Sequence, residues 1–215
     1  MLFSGIGTSP NDVAEIERIL QEQRLGYSKA NSAQLDDMAV DRLRTFRLLI
    51  VPGGNYINVG NGLKPGTARS VRDAVEHGLN YLGICAGGLV AGDSVHNGFN
   101  LTSGVRFDFY SAVNRGIHKA AVPITGNGMP TLDQYWEDGP QFTGWGNVVG
   151  KYPDGTPAVV EGKSGDGWVI LCGVHPEAPA SWRSGMNFKT PVSVNNEYAA
   201  MLIHAALNGT RRPHY

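Results

Sequence analysis

Cysteine is nearly absent from this chain, with two thiols in 215 residues and no C-x-x-C spacing between them. That excludes a disulfide framework and a thioredoxin-type redox pair, and it suits a reducing compartment. The six histidines fall in no Cys/His spacing that fits zinc, so neither a metal nor any other cofactor is expected. An excess of charge of one sign is missing too. Eighteen basic and 19 acidic side chains leave a formal charge of −1, so there is no electrostatic footprint for nucleic acid or an anionic membrane. No apolar run approaches the roughly 18 residues that a membrane-spanning helix needs. The opening MLFSGIGTSP has neither a basic n-region nor an apolar h-region. The expectation is a cytoplasmic protein, although a secreted chain with its signal removed would read the same.

Glycine is abundant. There are 29 of them, mostly after Val51, which implies many tight turns and close backbone approaches. An apolar share of 41% fills one core at this length, and no repeat, linker or low-complexity tract marks a boundary. One domain over residues 1–215 is expected.

The first third alternates strand and helix. Ser9 is an N-cap, Pro10 fits the first helical position, and Asp12 complements the helix N-terminus. Val13, Ile16, Ile19 and Leu20 recur at helical spacing until Gly26. A short strand is expected within 27–31, and a stronger one over Leu48–Val51, closed by Pro52-Gly53-Gly54. A helix follows over 67–77, then the strand LNYLGI. Unalternating apolar runs separated by amphipathic helices imply a parallel sheet covered on both faces. Beyond about residue 100, runs such as KAAVPITGNG and GDGWVILCGV are joined by Gly, Pro and Asp-Gly turns with no room for crossover helices, so added antiparallel strands are expected. The segment from Asn195 to Leu207 reads as a closing helix, and RRPHY as a frayed tail. Two apparent phosphate loops are turns. Gly162-Lys163-Ser164 lacks the first P-loop glycine, and GWGNVVG lacks the third glycine of a dinucleotide fingerprint.

Chemistry concentrates around LGICAGG. A cysteine beside apolar residues is ordinarily an inert core thiol. Here Gly83-Ile84-Cys85-Ala86-Gly87 has the G-x-C-x-G form of a nucleophile elbow, with a strand entering and a small-residue helix leaving. Such a turn exposes the sulfur at a helix N-terminus, where the dipole favours thiolate. A thiolate is helped by a base that a third group orients. His175, in Val174-His175-Pro176-Glu177, is the distinctive histidine, and Glu177 can accept a hydrogen bond from its ring. The Val51-Pro52-Gly53-Gly54 turn ends another strand, and its Gly54 N–H can join that of Ala86 as an oxyanion hole.

The set PGG, GICAG and HPE, in that order, resembles the class I glutamine amidotransferase-like superfamily, whose triad is Cys, His and Glu. Within it the chain is most similar to the family named for the N-terminal domain of biotin-protein ligase. VPGGNY, YLGICAGGLVAG, the YWEDGPQF region, the Ala-Val-Val strand at 158–160 and GVHPE carry the similarity. The resemblance implies a flavodoxin-like α/β three-layer sandwich with a mostly parallel central sheet, and a triad of Cys85, His175 and Glu177. Where that family tends to carry Asn-Gly-Gly after the Tyr pair, this chain has Glu137-Asp138-Gly139-Pro140.

Gly53, Asn55 and Tyr56 near the PGG turn, with Tyr135, Trp136 and Asp138 in the antiparallel part, sketch a pocket for a small amide or a peptide-like ligand. Trp145, Trp168 and Trp182 read as packing residues. The leading expectation is a cysteine amidohydrolase or amidotransferase-like enzyme acting on a small carboxamide. The alternatives are a catalytically silent module that binds a small molecule or partner protein, and a cysteine peptidase. The sequence sets no oligomeric state.

Overall fold

The computed structural model describes residues 1–215. In chain order, β1 (Leu2–Phe3) leads to α1 (Pro10–Glu22), β2 (Lys29–Ala30), α2 (Ser32–Asp36), α3 (Val40–Leu43) and β3 (Leu48–Val51). Then come α4 (Tyr56–Asn61), α5 (Pro65–Glu76), β4 (Asn80–Ile84) and α6 (Ala86–Ala91). The second half holds β5 (Asp108–Phe109), β6 (Lys119–Gly126), β7 (Met129–Glu137), β8 (Pro140–Gln141) and β9 (Asn147–Lys151). β10 (Pro157–Ser164), β11 (Gly167–Cys172) and α7 (Val192–Asn208) complete it. No helix is long and apolar enough to cross a membrane.

Nine strands form one sheet in the order β2-β1-β3-β4-β11-β10-β9-β6-β7. The first five positions run parallel. From β11 onward every pairing is antiparallel. Alternation along the parallel strands splits the core into two layers. Leu48 and Ile50 pack with Ile16 of α1 and Leu202 of α7, whereas Leu49 and Val51 pack with Val71 and Val75 of α5. Successive strand residues point to opposite faces, so an unbroken apolar run is what a doubly covered sheet requires. This is the expected α/β architecture, with helices on both faces and antiparallel strands added in the C-terminal half.

Local chemistry sets the element boundaries. The Ser9 side chain caps α1 by accepting from the Asp12 N–H at 3.3 Å, and Pro10 occupies its first turn. Lys163 and Ser164 end β10, and Gly146 is a turn residue at φ +76° before β9, so neither apparent phosphate loop opens a helix. The tail corrects the sequence expectation. RRPHY is docked rather than frayed: the Arg212 N–H donates to buried Glu161 at 2.8 Å, the Tyr215 N–H donates to the Val148 carbonyl at 2.9 Å, and Lys151 sits 3.9 Å over the Tyr215 ring. Polar partners hold it, so hydrophobic periodicity gave no sign of it.

Candidate active site

Three strand ends meet at one edge of the sheet. Val51 pairs with Gly83, and Ile84 pairs with Cys172, all in parallel register. The turns that follow β3, β4 and β11 are therefore neighbours at the carboxyl edge, where open α/β sheets place their ligands. β7 joins them through an isolated bridge in which the His175 N–H donates to the Tyr135 carbonyl at 2.8 Å.

Cys85 sits on a strained turn at φ +48° and ψ −106°, a conformation that costs a non-glycine residue on the order of 1–3 kcal/mol. The neighbouring glycines make the turn sterically feasible. A Cβ on Gly83 would lie 2.6 Å from the Gly87 carbonyl carbon, and one on Gly87 would strike the backbone carbonyl of Val51. The Cys85 N–H is tied to the Cys172 carbonyl at 2.7 Å. The sulfur contacts the Glu137 carbonyl at 3.6 Å and borders a chamber of about 520 Å³.

The same chamber is bordered by Gly54, Asn55, Tyr56, Ala86, Asp138 and His175. Gly54 is at φ +143°. Its bridge to Thr8 uses flanking groups, Ser9 N–H to Gly53 O and Asn55 N–H to Gly7 O, which leaves the Gly54 N–H outside that ladder. Asn55 also caps α4, its side-chain oxygen accepting from the Asn58 N–H at 3.0 Å. Asp138 accepts from His118 at 2.8 Å. Gly53 lies under the imidazole, where a Cβ would approach His175 Cε1 to 2.6 Å and strike Asp12 Oδ1.

His175 is buried, and its Nδ1 donates to Glu177 Oε1 at 2.9 Å. A second carboxylate, Asp12 Oδ1, stands 3.0 Å from the same nitrogen. Burial works against the charged imidazole, but Cys85, Glu177 and Asp12 together hold its pKa well above the ordinary histidine value. Asp12, His175 and Glu177 bring three ligand-type atoms within 4.8 Å of one another. This is the one cluster that could hold a cation, but its 2.9 and 3.0 Å spacings are hydrogen-bond lengths, and the ring N–H already occupies the space.

A second chamber of about 440 Å³ adjoins the first across Ser9, Asp12, Glu137 and His175. Tyr135 lies on this side, its hydroxyl donating to Glu137 at 2.5 Å, with Trp182 5.5 Å from its ring. Two sequence expectations change here. Trp136, expected at the ligand, is fully buried; its indole N–H donates to the Gly139 carbonyl and its ring meets Tyr110 edge-on. Adjacent strand residues face opposite ways, so placing Tyr135 toward the chamber sends Trp136 into the core. Trp182, expected in packing, borders the second chamber and lies 6.0 Å from the His175 ring.

Asp12, Glu137, Lys119 and Trp182 are the site residues that the sequence reading missed. A signal existed for Asp12. A helix following the first strand of a parallel sheet begins at the carboxyl edge, so a buried acid in its first turn faces the site.

The family described as biotin-protein ligase, N terminal, matches residues 1–119. The chain belongs to that family. The matched span holds Asp12, the PGG turn and the elbow, whereas His175 and Glu177 lie beyond it. Among curated proteins none matches the chain in sequence. Solved structures match in shape. A glutamine amidotransferase superposes with a TM-score of 0.62 at 18% identity, over 81% of this chain and 90% of that one. The PurLQS structure from Thermotoga maritima gives 0.55 at 18% identity, over 94% and 96%. An exo-β-1,4-mannosidase from Opitutaceae bacterium strain TAV5 gives 0.57 at 14% identity, over 91% of this chain but 31% of that one. This biotin-protein ligase N-terminal family member therefore has the glutamine amidotransferase-like fold, and that fold also occurs as part of a glycosidase chain.

Proposed function

We propose that this protein is a cysteine-dependent amidohydrolase of the glutamine amidotransferase type, acting on small carboxamides. The observation that carries the reading is that Cys85, on its strained elbow, and a buried, carboxylate-bound His175 border one chamber. In this scheme the Cys85 thiolate attacks the carboxamide carbon while the carbonyl electron pair moves onto oxygen. The N–H groups of Gly54 and Ala86 receive that oxyanion. His175 passes its proton to the nitrogen as the C–N bond breaks and ammonia or an amine leaves. Water then attacks the thioester with His175 as base, which releases the carboxylic acid and restores Cys85. Two free cysteines suit work in a reducing compartment such as the cytoplasm.

The test is ammonia release from a panel of small carboxamides by wild type and by Cys85→Ala, with intact mass measured during turnover. The expected result is release that requires Cys85, with an acyl adduct on it. Equal release by both proteins would contradict the reading.

A second reading is a silent module that binds a small molecule or partner protein. The contact of the Cys85 sulfur with the Glu137 carbonyl, in a nearly closed setting, favours it. It predicts ligand binding unchanged by Cys85→Ala and no adduct with any carboxamide.

A further inference from the structure

We infer that the third place of the triad is divided between two carboxylates: Glu177 aims the His175 ring by accepting its Nδ1–H, and Asp12 carries the negative charge that balances the imidazolium. This rests on the reading that Cys85 and His175 are the reacting pair.

The geometry separates the two roles. Nδ1 carries one hydrogen, and Glu177 Oε1 accepts it at 2.9 Å. Asp12 Oδ1 is as near, at 3.0 Å, but the ring N–H meets hydrogen-bond geometry toward Glu177 and not toward Asp12, so Asp12 acts on the ring chiefly through its charge. Two buried carboxylates this close repel each other when both are ionised, and the group with less support is the more readily protonated.

That group is Glu177. It is fully buried, borders neither chamber, and its Oε2 has no partner. Asp12 Oδ1 is likewise unpartnered, so what separates the two acids is access to solvent: Glu177 reaches neither chamber, and an ion cut off from water is far costlier than a neutral acid. Asp12 has support from three sides. It lies in the first turn of the 13-residue α1, where the helix dipole favours an anion, it borders both chambers, and it touches the ring. Burial alone would raise both carboxyls. The His175 charge reverses that for Asp12, whose pKa lies below the usual range, but not for Glu177, whose pKa lies above it. The contact is also built into the backbone. Gly53 has no Cβ at the point where one would strike Asp12 Oδ1 and the His175 ring.

The groups facing His175 are Asp12 from α1, Tyr135 and Glu137 from β7, Cys172 from β11, Cys85 from the elbow, and Glu177 from its own turn. Cys85→Ala removes the sulfur, the first of the charges that hold the His175 pKa up. In that background, imidazole nitrogen NMR of the full chain reads the pH midpoint and tautomer of His175 directly. Adding Asp12→Asn is expected to lower the midpoint by about one pH unit or more, the effect of losing an adjacent opposite charge. Adding Glu177→Gln is expected to lower it by less than Asp12→Asn does, because Glu177, cut off from both chambers, carries the smaller share of the balancing charge. A shift for Glu177→Gln equal to or larger than that for Asp12→Asn overturns the assignment. If Asp12→Asn loses the native imidazole spectrum, Glu177→Gln decides alone, and a drop of about a full unit there overturns it. A failure to find Cys85-dependent turnover would sink the amidohydrolase reading and leave this titration intact, so the two failures are distinguishable.

Discussion

Cys85 and Cys172 end adjacent parallel strands, one residue apart in register, and the N–H of the first donates to the carbonyl of the second. Their surroundings differ because their backbones do. Cys172 is the last residue of a fully buried strand, and burial pushes its thiol up to about 12. Cys85 lies one residue beyond its strand, on a left-handed turn that swings the sulfur toward a chamber. Two glycines with no space for a Cβ, Gly83 and Gly87, mark that turn; Cys172 is followed by one such glycine, Gly173, but itself stays within its strand. An apolar setting for a cysteine therefore says little about its reactivity.

The sharpest way to break the comparison is to remove each thiol in turn. Cys85→Ala is expected to abolish turnover, by more than about a thousandfold, with the unfolding midpoint in denaturant little changed. Next in size is the elbow itself. Gly87→Ala drives a Cβ into the Val51 carbonyl, so α6 must retreat from β3. A stability loss of about 1–3 kcal/mol is expected, with activity falling alongside it, measured by urea unfolding and ammonia release.

Glu177→Gln is expected to lower turnover less than Cys85→Ala, since the glutamine oxygen still accepts from the ring. Its stability has a definite pH dependence. Burial raises the Glu177 pKa, so wild type gains from the protonated acid at low pH and loses that gain as pH rises through the raised value. Glu177→Gln, neutral throughout, should gain stability relative to wild type as pH rises through that window, and thermal unfolding across pH checks it. The smallest effect belongs to Cys172→Ala. It should leave kcat/KM within about twofold and cost on the order of 1 kcal/mol for a small buried void.

The site was only partly legible in the sequence. Leu48–Val51 reads as a buried strand and forms one, because four consecutive apolar residues before Pro-Gly-Gly leave little alternative. The G-x-C-x-G spacing located the strained residue, since only glycine fits at both flanks. The parity of β7 was hidden. Tyr135 and Trp136 are equally apt for a strand, and the bridge between Tyr135 and His175, forty residues apart in sequence, sets which of them faces the chamber. Asp12 was visible as a helix-capping acid, but its place beside His175 depends on sheet order. Trp182 lies in the 3-10 turn Ala180–Arg183, where no periodicity assigns a face.

On the amidohydrolase reading, the turn rather than the thiol's apolar surroundings makes Cys85 the nucleophile. Limited alkylation of the native protein with iodoacetamide near neutral pH, followed by peptide mapping, tests it most directly, because attack needs thiolate and access together. The expected result is label on Cys85 well before Cys172, with Cys172 modified only after denaturant is added. Label appearing first on Cys172, or on neither cysteine until the protein is unfolded, would contradict it.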